Sequence, residues 1–202
     1  QDRNPYYVEN VAEAHEEPGT WYLDRARSTL RYLPLPGEDP ASLTFIAPGP
    51  ECLVRLEGDP WRSRPVAHVR FEGIVFLHTG WSLPAEGYSS GQGMVDLPAA
   101  WDGSYVQHCA VDRCTFAHLG AYAVELRNGA SRNEITANRM FDLGGGGVKV
   151  GRGEGTARQN TVANNVISDG GLDHFSAIGI WAGLTHETSI RNNVVRRFPY
   201  TG

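Results

Sequence analysis

Five polar residues recur at one position of a repeating pattern in the second part of the chain. Each stands two residues after the last apolar residue of a short strand pattern, where a turn begins: His78, His118, Asp142, Asp169 and Arg197. Two carboxylates on neighbouring repeats repel each other, which raises the pKa of one of them. One protonated and one ionised carboxylate are what glycosidic bond hydrolysis requires. Asp142 and Asp169 are therefore our candidate catalytic pair, although aspartate is also favoured in turns for purely structural reasons.

The repeat spacing sets the expected geometry of this pair. Neighbouring parallel strands lie about 4.8 Å apart, so we expect carboxyl groups roughly 5–6 Å apart, nearer the separation of retaining than of inverting glycosidases. His118, one repeat earlier, could tune the acid. The next repeat carries an enlarged turn in which Asp173 and His174 could contact a sugar, and Trp181 could stack on a sugar ring. A solvated loop and a packed tryptophan are the structural alternatives.

Two further patterns have structural interpretations. Four successive glycines, residues 144–147, lack the GK[ST] sequence of a phosphate loop and predict a tight corner that needs positive φ. Glu125 and Lys149 recur in one outward-facing column and predict a surface ion pair of little energetic value.

The elements that carry these residues belong to units of 24 to 28 residues without helical periodicity. Apolar positions coincide from unit to unit, as in Val111, Ile135, Val162 and Ile190. Such a unit cannot bury its own apolar face, but stacked units form a continuous core. The pattern predicts an all-β chain that forms a right-handed parallel β-helix, since the signature of the leucine-rich repeat is absent.

One asparagine recurs in each of three successive units. Asn138, Asn165 and Asn193 are expected to stack in an internal ladder, because asparagine accepts left-handed backbone geometry and stacked amides bond along the axis. Cys114 fills the same column one unit earlier, which suits a buried thiol.

The first part of the chain has a different pattern. Residues 20–24 and 30–33 read as two strands joined by a polar turn, which predicts an antiparallel hairpin that a proline-rich stretch ends. We therefore divide the chain into a hairpin-rich segment, residues 1–64, and the β-helix coils, residues 65–202.

Composition excludes several functions. The net charge of −5 gives no basic surface for nucleic acid, and no apolar run reaches the length of about 18 residues that a membrane span needs. The three cysteines form neither a zinc motif nor an even disulfide framework. We expect no cofactor and no metal.

Several segments resemble a known family of bacterial enzymes. They are PGTWYLD (residues 18–24), LRYLP (30–34), DLGGGGV (142–148), DGG (169–171), GIW (179–181) and FPYTG (198–202). They are similar to the hairpin and coils of glycoside hydrolase family 141 and its relatives. The resemblance covers nearly the whole chain and implies a secreted or periplasmic glycosidase that acts on plant or microbial polysaccharide such as fucosides or xylans. It also matches Asp142 and Asp169 to the aspartates of the family's groove.

Two other functions remain open. A polysaccharide lyase would use an arginine or lysine base and often a calcium ion, and a non-catalytic solenoid would only bind carbohydrate. The family's chains are much longer, so we expect the remaining parts of a longer chain to complete the coils, and this part alone to be inactive.

Overall fold

The computed structural model describes residues 8–152 and 155–202. The chain divides into two compact units, Gln1–Ile46 and Ala47–Gly202. The division falls before the predicted boundary at residues 64 and 65, because the strand Val54–Glu57 pairs with a strand of the coils. Across the described residues, no helix is long and apolar enough to cross a membrane.

The first unit contains the predicted hairpin, and residues 1–7 lie outside the described part. Strands β1 (Trp21–Asp24) and β2 (Thr29–Tyr32) pair antiparallel. Short 3-10 turns lie at Ala12–Ala14 and Pro40–Ser42. The ring of Tyr32 packs edge-on against Phe45, with 5.5 Å between the ring centroids.

In its described residues the second unit contains short strands and one 3-10 turn, Gln92–Met94. In chain order the strands are β3 Val54–Glu57, β4 Val66–Ala67, β5 Arg70–Glu72, β6 Val75–Thr79, β7 Ala99–Ser104, β8 Val106–Gln107, β9 Ala110–Asp112, β10 Thr115–Leu119, β11 Tyr122–Leu126, β12 Glu134–Thr136, β13 Arg139–Leu143, β14 Val148–Val150, β15 Ala157–Arg158, β16 Thr161–Ala163, β17 Val166–Gly170, β18 Ile180–Ala182, β19 Thr185–His186, β20 Ser189–Arg191 and β21 Val194–Arg196.

Fifteen of these strands stack into three parallel five-stranded sheets, and the other four form the two-stranded parallel pairs β4-β8 and β15-β19. The first sheet, which we call the ridge sheet, has the order β21-β17-β13-β10-β6. The second, which we call the strap sheet, has the order β18-β14-β11-β7-β3, and the third has the order β20-β16-β12-β9-β5. Every pair within the three sheets is parallel and joins one coil to the next. The predicted right-handed parallel β-helix with an N-terminal hairpin is confirmed.

The predicted asparagine ladder is present inside the coils. The side-chain N–H of Asn138 donates to Oδ1 of Asn165, and the side-chain N–H of Asn165 donates to Oδ1 of Asn193, each at 2.9 Å. The backbone N–H of Cys114 donates to Asn138, so the thiol closes the column as expected. A second ladder was not predicted.

This second ladder repeats the first at another corner. The amide of Asn133 donates to Oδ1 of Asn160 at 2.9 Å, and the N–H of Cys109 donates to Asn133. In both ladders the asparagine side chains form hydrogen bonds with backbone groups at the corners of neighbouring coils, so that these buried polar groups are bonded.

Matched apolar columns fill the space between the sheets. The rings of Phe76 and Phe116 stack with centroids 4.7 Å apart, and Met140 and Ile167 continue that column. Met140 and Ile167 are fully buried, and each such side chain contributes about 1.5–3 kcal/mol of transfer free energy. The core therefore holds the sheets, and with them the outward residues, in a constant register.

Candidate functional site

The five polar residues at the turn positions form a continuous line, which we call the ridge. It consists of His78, His118, Asp142, Asp169 and Arg197. All five have left-handed backbone geometry, with φ between 53° and 61°. In β10 and β13 the register passes from Ala117 and Phe141 directly to Leu119 and Leu143, leaving out His118 and Asp142 between them. Both coils have one residue at this position, and its left-handed geometry interrupts the ladder there.

The first half of the ridge pairs an imidazole with a carboxylate. Nδ1 of His118 lies 2.5 Å from Oδ2 of Asp142, and both side chains are 48% exposed. The two atoms are within hydrogen-bond distance, and the imidazole tautomer sets whether Nδ1 is the donor. The rings of His78 and His118 stack with centroids 5.0 Å apart. Asp142 therefore leans toward the preceding coil.

The second half of the ridge is an ion pair. Nε and Nη2 of Arg197 donate to the two carboxylate oxygens of Asp169, the second at 2.5 Å. The hydrogen bonds from Arg197 lower the pKa of Asp169 to about 2. The expected repulsion between the two aspartates is therefore not what governs the pKa of Asp169, because the arginine on the next coil stabilises its ionised form.

The enlarged turn folds back beside the ridge. The N–H groups of Asp173 and His174 both donate to the carbonyl of Gly144, at 3.1 and 2.9 Å. A Cβ on Gly144 would lie 2.6 Å from Oδ2 of Asp173. The carboxylate of Asp173 thus lies next to a residue only two positions after Asp142.

The glycine run has a different role from the one predicted. Residues 144–147 do not adopt positive φ. A Cβ at Gly146 would instead come within 2.1 Å of the carbonyl of Ile178 and 2.2 Å of the Tyr122 ring. The prediction of positive φ was wrong: glycine is needed here because two coils approach each other too closely for any side chain.

His174 is packed inside this turn. It is 5% exposed, and its ring meets Trp81 edge-on with centroids 4.6 Å apart. Burial lowers the pKa of His174, and its Nε2 has no hydrogen-bond partner within the described residues. A sugar contact from this side chain stays a prediction and would require the covering aromatic residues to move.

Trp181 lies on a different sheet from the ridge. It pairs with Lys149 in the strap sheet and is half-buried. Its ring lies against Gly183, where a Cβ would approach it to 2.4 Å, and near Gly93. The structure therefore brings His118, Asp142, Asp169 and the Asp173 turn to one side of the coils and leaves Trp181 apart from them.

The outer face of the strap sheet holds a cluster that sequence reasoning missed. The outward column of paired positions on this sheet is Arg55, Asp102, Glu125, Lys149 and Trp181. Residues 81–98, which we call the strap, cross this face at Lys149. Nζ of Lys149 donates to the carbonyls of Val95 and Leu97 and lies 3.0 Å from Oε2 of Glu125. Glu125 is 4% exposed and Lys149 1%.

The predicted ion pair between Glu125 and Lys149 is present, but its predicted position on the surface is wrong. The strap removes Glu125 and Lys149 from solvent, and burial lowers the pKa of Lys149. Lys149 is the only lysine of the chain, which was the one signal in the sequence that this position differs from an ordinary outward column.

Comparisons with known proteins bear on the fold. A family model described as "Right handed beta helix region" matches residues 100–202. A solved structure named "Glycoside hydrolase" superimposes with a TM-score of 0.84 at 22% identity, over 96% of this chain and 40% of that one. The chain thus spans about two fifths of the length of that structure. No curated protein matches the chain.

Proposed function

We propose that this chain, which belongs to the right-handed β-helix family, is part of a carbohydrate-active enzyme that hydrolyses glycosidic bonds in plant or microbial polysaccharide. The observation that carries the proposal is the ridge, where two partly exposed aspartates on neighbouring coils have different partners. The likeness in fold to a structure named glycoside hydrolase supports it, as does the resemblance of the sequence to glycoside hydrolase family 141. The polymeric substrate favours a location outside the cytoplasm.

The two aspartates have separate roles in this proposal. Asp169, with its pKa lowered to about 2 by Arg197, stays ionised at all ordinary pH values and suits the base that activates water. Asp142 is hydrogen-bonded to Nδ1 of His118, and in this proposal it is the acid that protonates the leaving oxygen.

The partners of the aspartates also bear on stereochemistry. Asp142 leans toward the preceding coil and Asp169 toward the following one. Their carboxyl groups are thereby separated by more than the rung spacing of about 4.8 Å. This favours the inverting arrangement, in which a gap of about 6.5–9.5 Å leaves room for water, over the retaining one expected for unpaired side chains.

Substitution of each aspartate tests the assignment. Asp142→Asn and Asp169→Asn in the whole protein should each lower the turnover of pure oligosaccharides about 10²–10⁴-fold, because each removes one half of the acid–base chemistry. The matched control is Glu134→Gln, an exposed carboxylate on the third sheet, which should retain full activity. Near-normal turnover in either aspartate variant would overturn the pair.

The same assay separates hydrolysis from elimination. A lyase base must lose its proton, whereas Asp169 raises the pKa of Arg197 and keeps it charged. We therefore expect reducing ends without the new double bond that a lyase leaves in its product. Products that absorb as unsaturated sugars would favour the lyase, and binding without any product would favour a non-catalytic solenoid.

A further inference from the structure

The outer face of the ridge sheet carries two arginines without an ion pair or side-chain hydrogen bond to any described residue. Arg139 lies on β13 and Arg196 on β21, and both are exposed. The register pairs Arg139 with Val166 on β17, and Ser168 on β17 with Arg196. Because side chains alternate along a strand, these four residues share the outward face.

Between the arginines this face has a floor with an aromatic ring. Phe141 is half-buried, and its ring meets that of His118 edge-on with centroids 6.4 Å apart. Ser168, its neighbour on the next coil, is 5% exposed. Arg139, Phe141, Ser168 and Arg196 therefore form a surface, which we call the arginine face, directly beside the ridge.

The two arginines are the charged side chains of this face. Asp169 and Arg197 form an ion pair with each other, and Asp142 bonds to Nδ1 of His118. Arg139 and Arg196 remain, on a chain whose net charge is −5. Guanidinium groups bind carboxylates and sulfates through paired hydrogen bonds, so two such groups beside an aromatic floor fit an anionic sugar.

We propose that the arginine face binds the acidic groups of an anionic saccharide, so that the polysaccharide substrate carries carboxylate or sulfate groups. Arg139 shares a strand with Asp142, and Arg196 is next to Arg197. The coils that carry the two arginines are two rungs apart, about 10 Å along the axis. A saccharide lying along the axis would place its charged groups on the arginines and a glycosidic bond over Asp142 and Asp169. This inference rests on the proposed function of the same site.

Binding of matched oligosaccharides by the whole protein tests the inference. The probes are a uronic-acid oligosaccharide, its carboxyl-reduced neutral counterpart and a sulfated oligosaccharide of the same length, measured by calorimetry. The Asp142→Asn protein is used so that no probe is consumed. We expect the neutral probe to bind at least about tenfold more weakly than one acidic probe, and the stronger acidic probe identifies carboxylate or sulfate as the natural group.

Variants locate the effect on this face. Arg139→Gln and Arg196→Gln should each weaken the acidic probe about tenfold and leave the neutral probe unchanged. The matched control is Arg158→Gln, an exposed arginine on the corner strand β15, which should bind as the parent does. Unchanged melting temperatures show that the variants fold.

Two outcomes overturn the inference, and both differ from failure of the proposed function. The arginine face does not bind the acidic groups if the parent binds acidic and neutral probes equally. The same conclusion follows if both arginine variants bind the acidic probe as tightly as the parent does. Hydrolysis of neutral oligosaccharides that depends on Asp142 would then leave the proposed function intact. Arginine-dependent binding without any hydrolysis would support the face and contradict the glycosidase.

Discussion

Asp142 and Asp169 occupy equivalent positions on neighbouring coils, and their different chemistry comes from what each side chain contacts. Asp169 accepts two hydrogen bonds from a permanently charged guanidinium, which favours its ionised form. Asp142 instead bonds to the imidazole of His118. A single column thus gives one aspartate a guanidinium partner and the other an imidazole partner.

The dependence of Asp169 on Arg197 can be measured directly. In Arg197→Gln we expect the pKa of Asp169 to rise from about 2 toward its ordinary value of 3.8, seen in an NMR titration of its carboxyl carbon. Because the folded-state pKa is lowered, the pair stabilises the fold above about pH 4, and this contribution is lost as the pH falls toward 2.

The same variant should alter the pH profile. If Asp169 is the base, the acidic limb of kcat/KM moves to higher pH in Arg197→Gln. Arg196→Gln is the control, because it removes a nearby positive charge that makes no hydrogen bond to Asp169. It should move the pKa of Asp169 much less, since Arg197 makes the hydrogen bonds. A pKa that stays near 2 without Arg197 would contradict this account.

The strap changes the environment of side chains on the sheet beneath it. Glu125 and Lys149 face outward from β11 and β14, where side chains of a bare solenoid would meet water. The strap supplies carbonyls to the ammonium group, and Arg152 bonds to Asp96 of the strap. Lys149 also lies 4.8 Å from the centroid of the Tyr122 ring. The lysine therefore attaches the strap to the sheet.

Removal of this lysine should loosen the strap. Lys149→Met leaves the buried carboxylate of Glu125 with only the more distant Arg152, 3.8 Å away, and removes the lysine donor from the carbonyl of Leu97. We expect a loss of about 3–5 kcal/mol in the free energy of unfolding, together with faster hydrogen exchange in residues 92–97. Denaturant unfolding and exchange mass spectrometry measure the two effects.

A second substitution serves as the matched control. Glu125→Leu added to Lys149→Met removes the uncompensated charge, so the double variant should recover much of the lost stability. If Lys149→Met alone unfolds like the parent protein, the ion pair does not hold the strap.

Across the whole molecule, the asparagine ladders join one coil to the next. Asn165 stands in the middle of its ladder and is fully buried, whereas Asn193 is half-buried. The amide of Asn165 donates to the carbonyl of Ile135 and to Asn193, and its oxygen accepts from Asn138. The coil that contains Asn165 is thus bonded to both of its neighbours.

This position in the ladder predicts a gradient in stability. Asn165→Ala should lower the free energy of unfolding by roughly 3–5 kcal/mol, because it leaves several buried donors and acceptors unbonded. Asn193→Ala serves as the comparison and should cost less, because Asn193 is more exposed. Equal losses at the two positions, measured by thermal or denaturant unfolding, would argue against the ladder as the cause.

The sequence by itself determined the repeat, and with it most of the fold. Matched spacing of apolar residues and of Asn138, Asn165 and Asn193 predicted the coils, the core columns and the first ladder. The ridge was predicted as well, because residues at equivalent repeat positions stack in a solenoid whatever their side chains are. The second ladder, through Asn133 and Asn160, carried the same signal.

Only the tertiary structure decided what surrounds each outward residue. The strap is not part of the repeat, so nothing in the period indicated that it buries Glu125 and Lys149. The capture of Asp169 by Arg197 depends on side-chain directions between coils, which repeat position alone does not specify. Gly146 is required by the approach of another coil. Periodicity is local information, whereas burial, ion pairing and close approach arise from residues far apart in the chain.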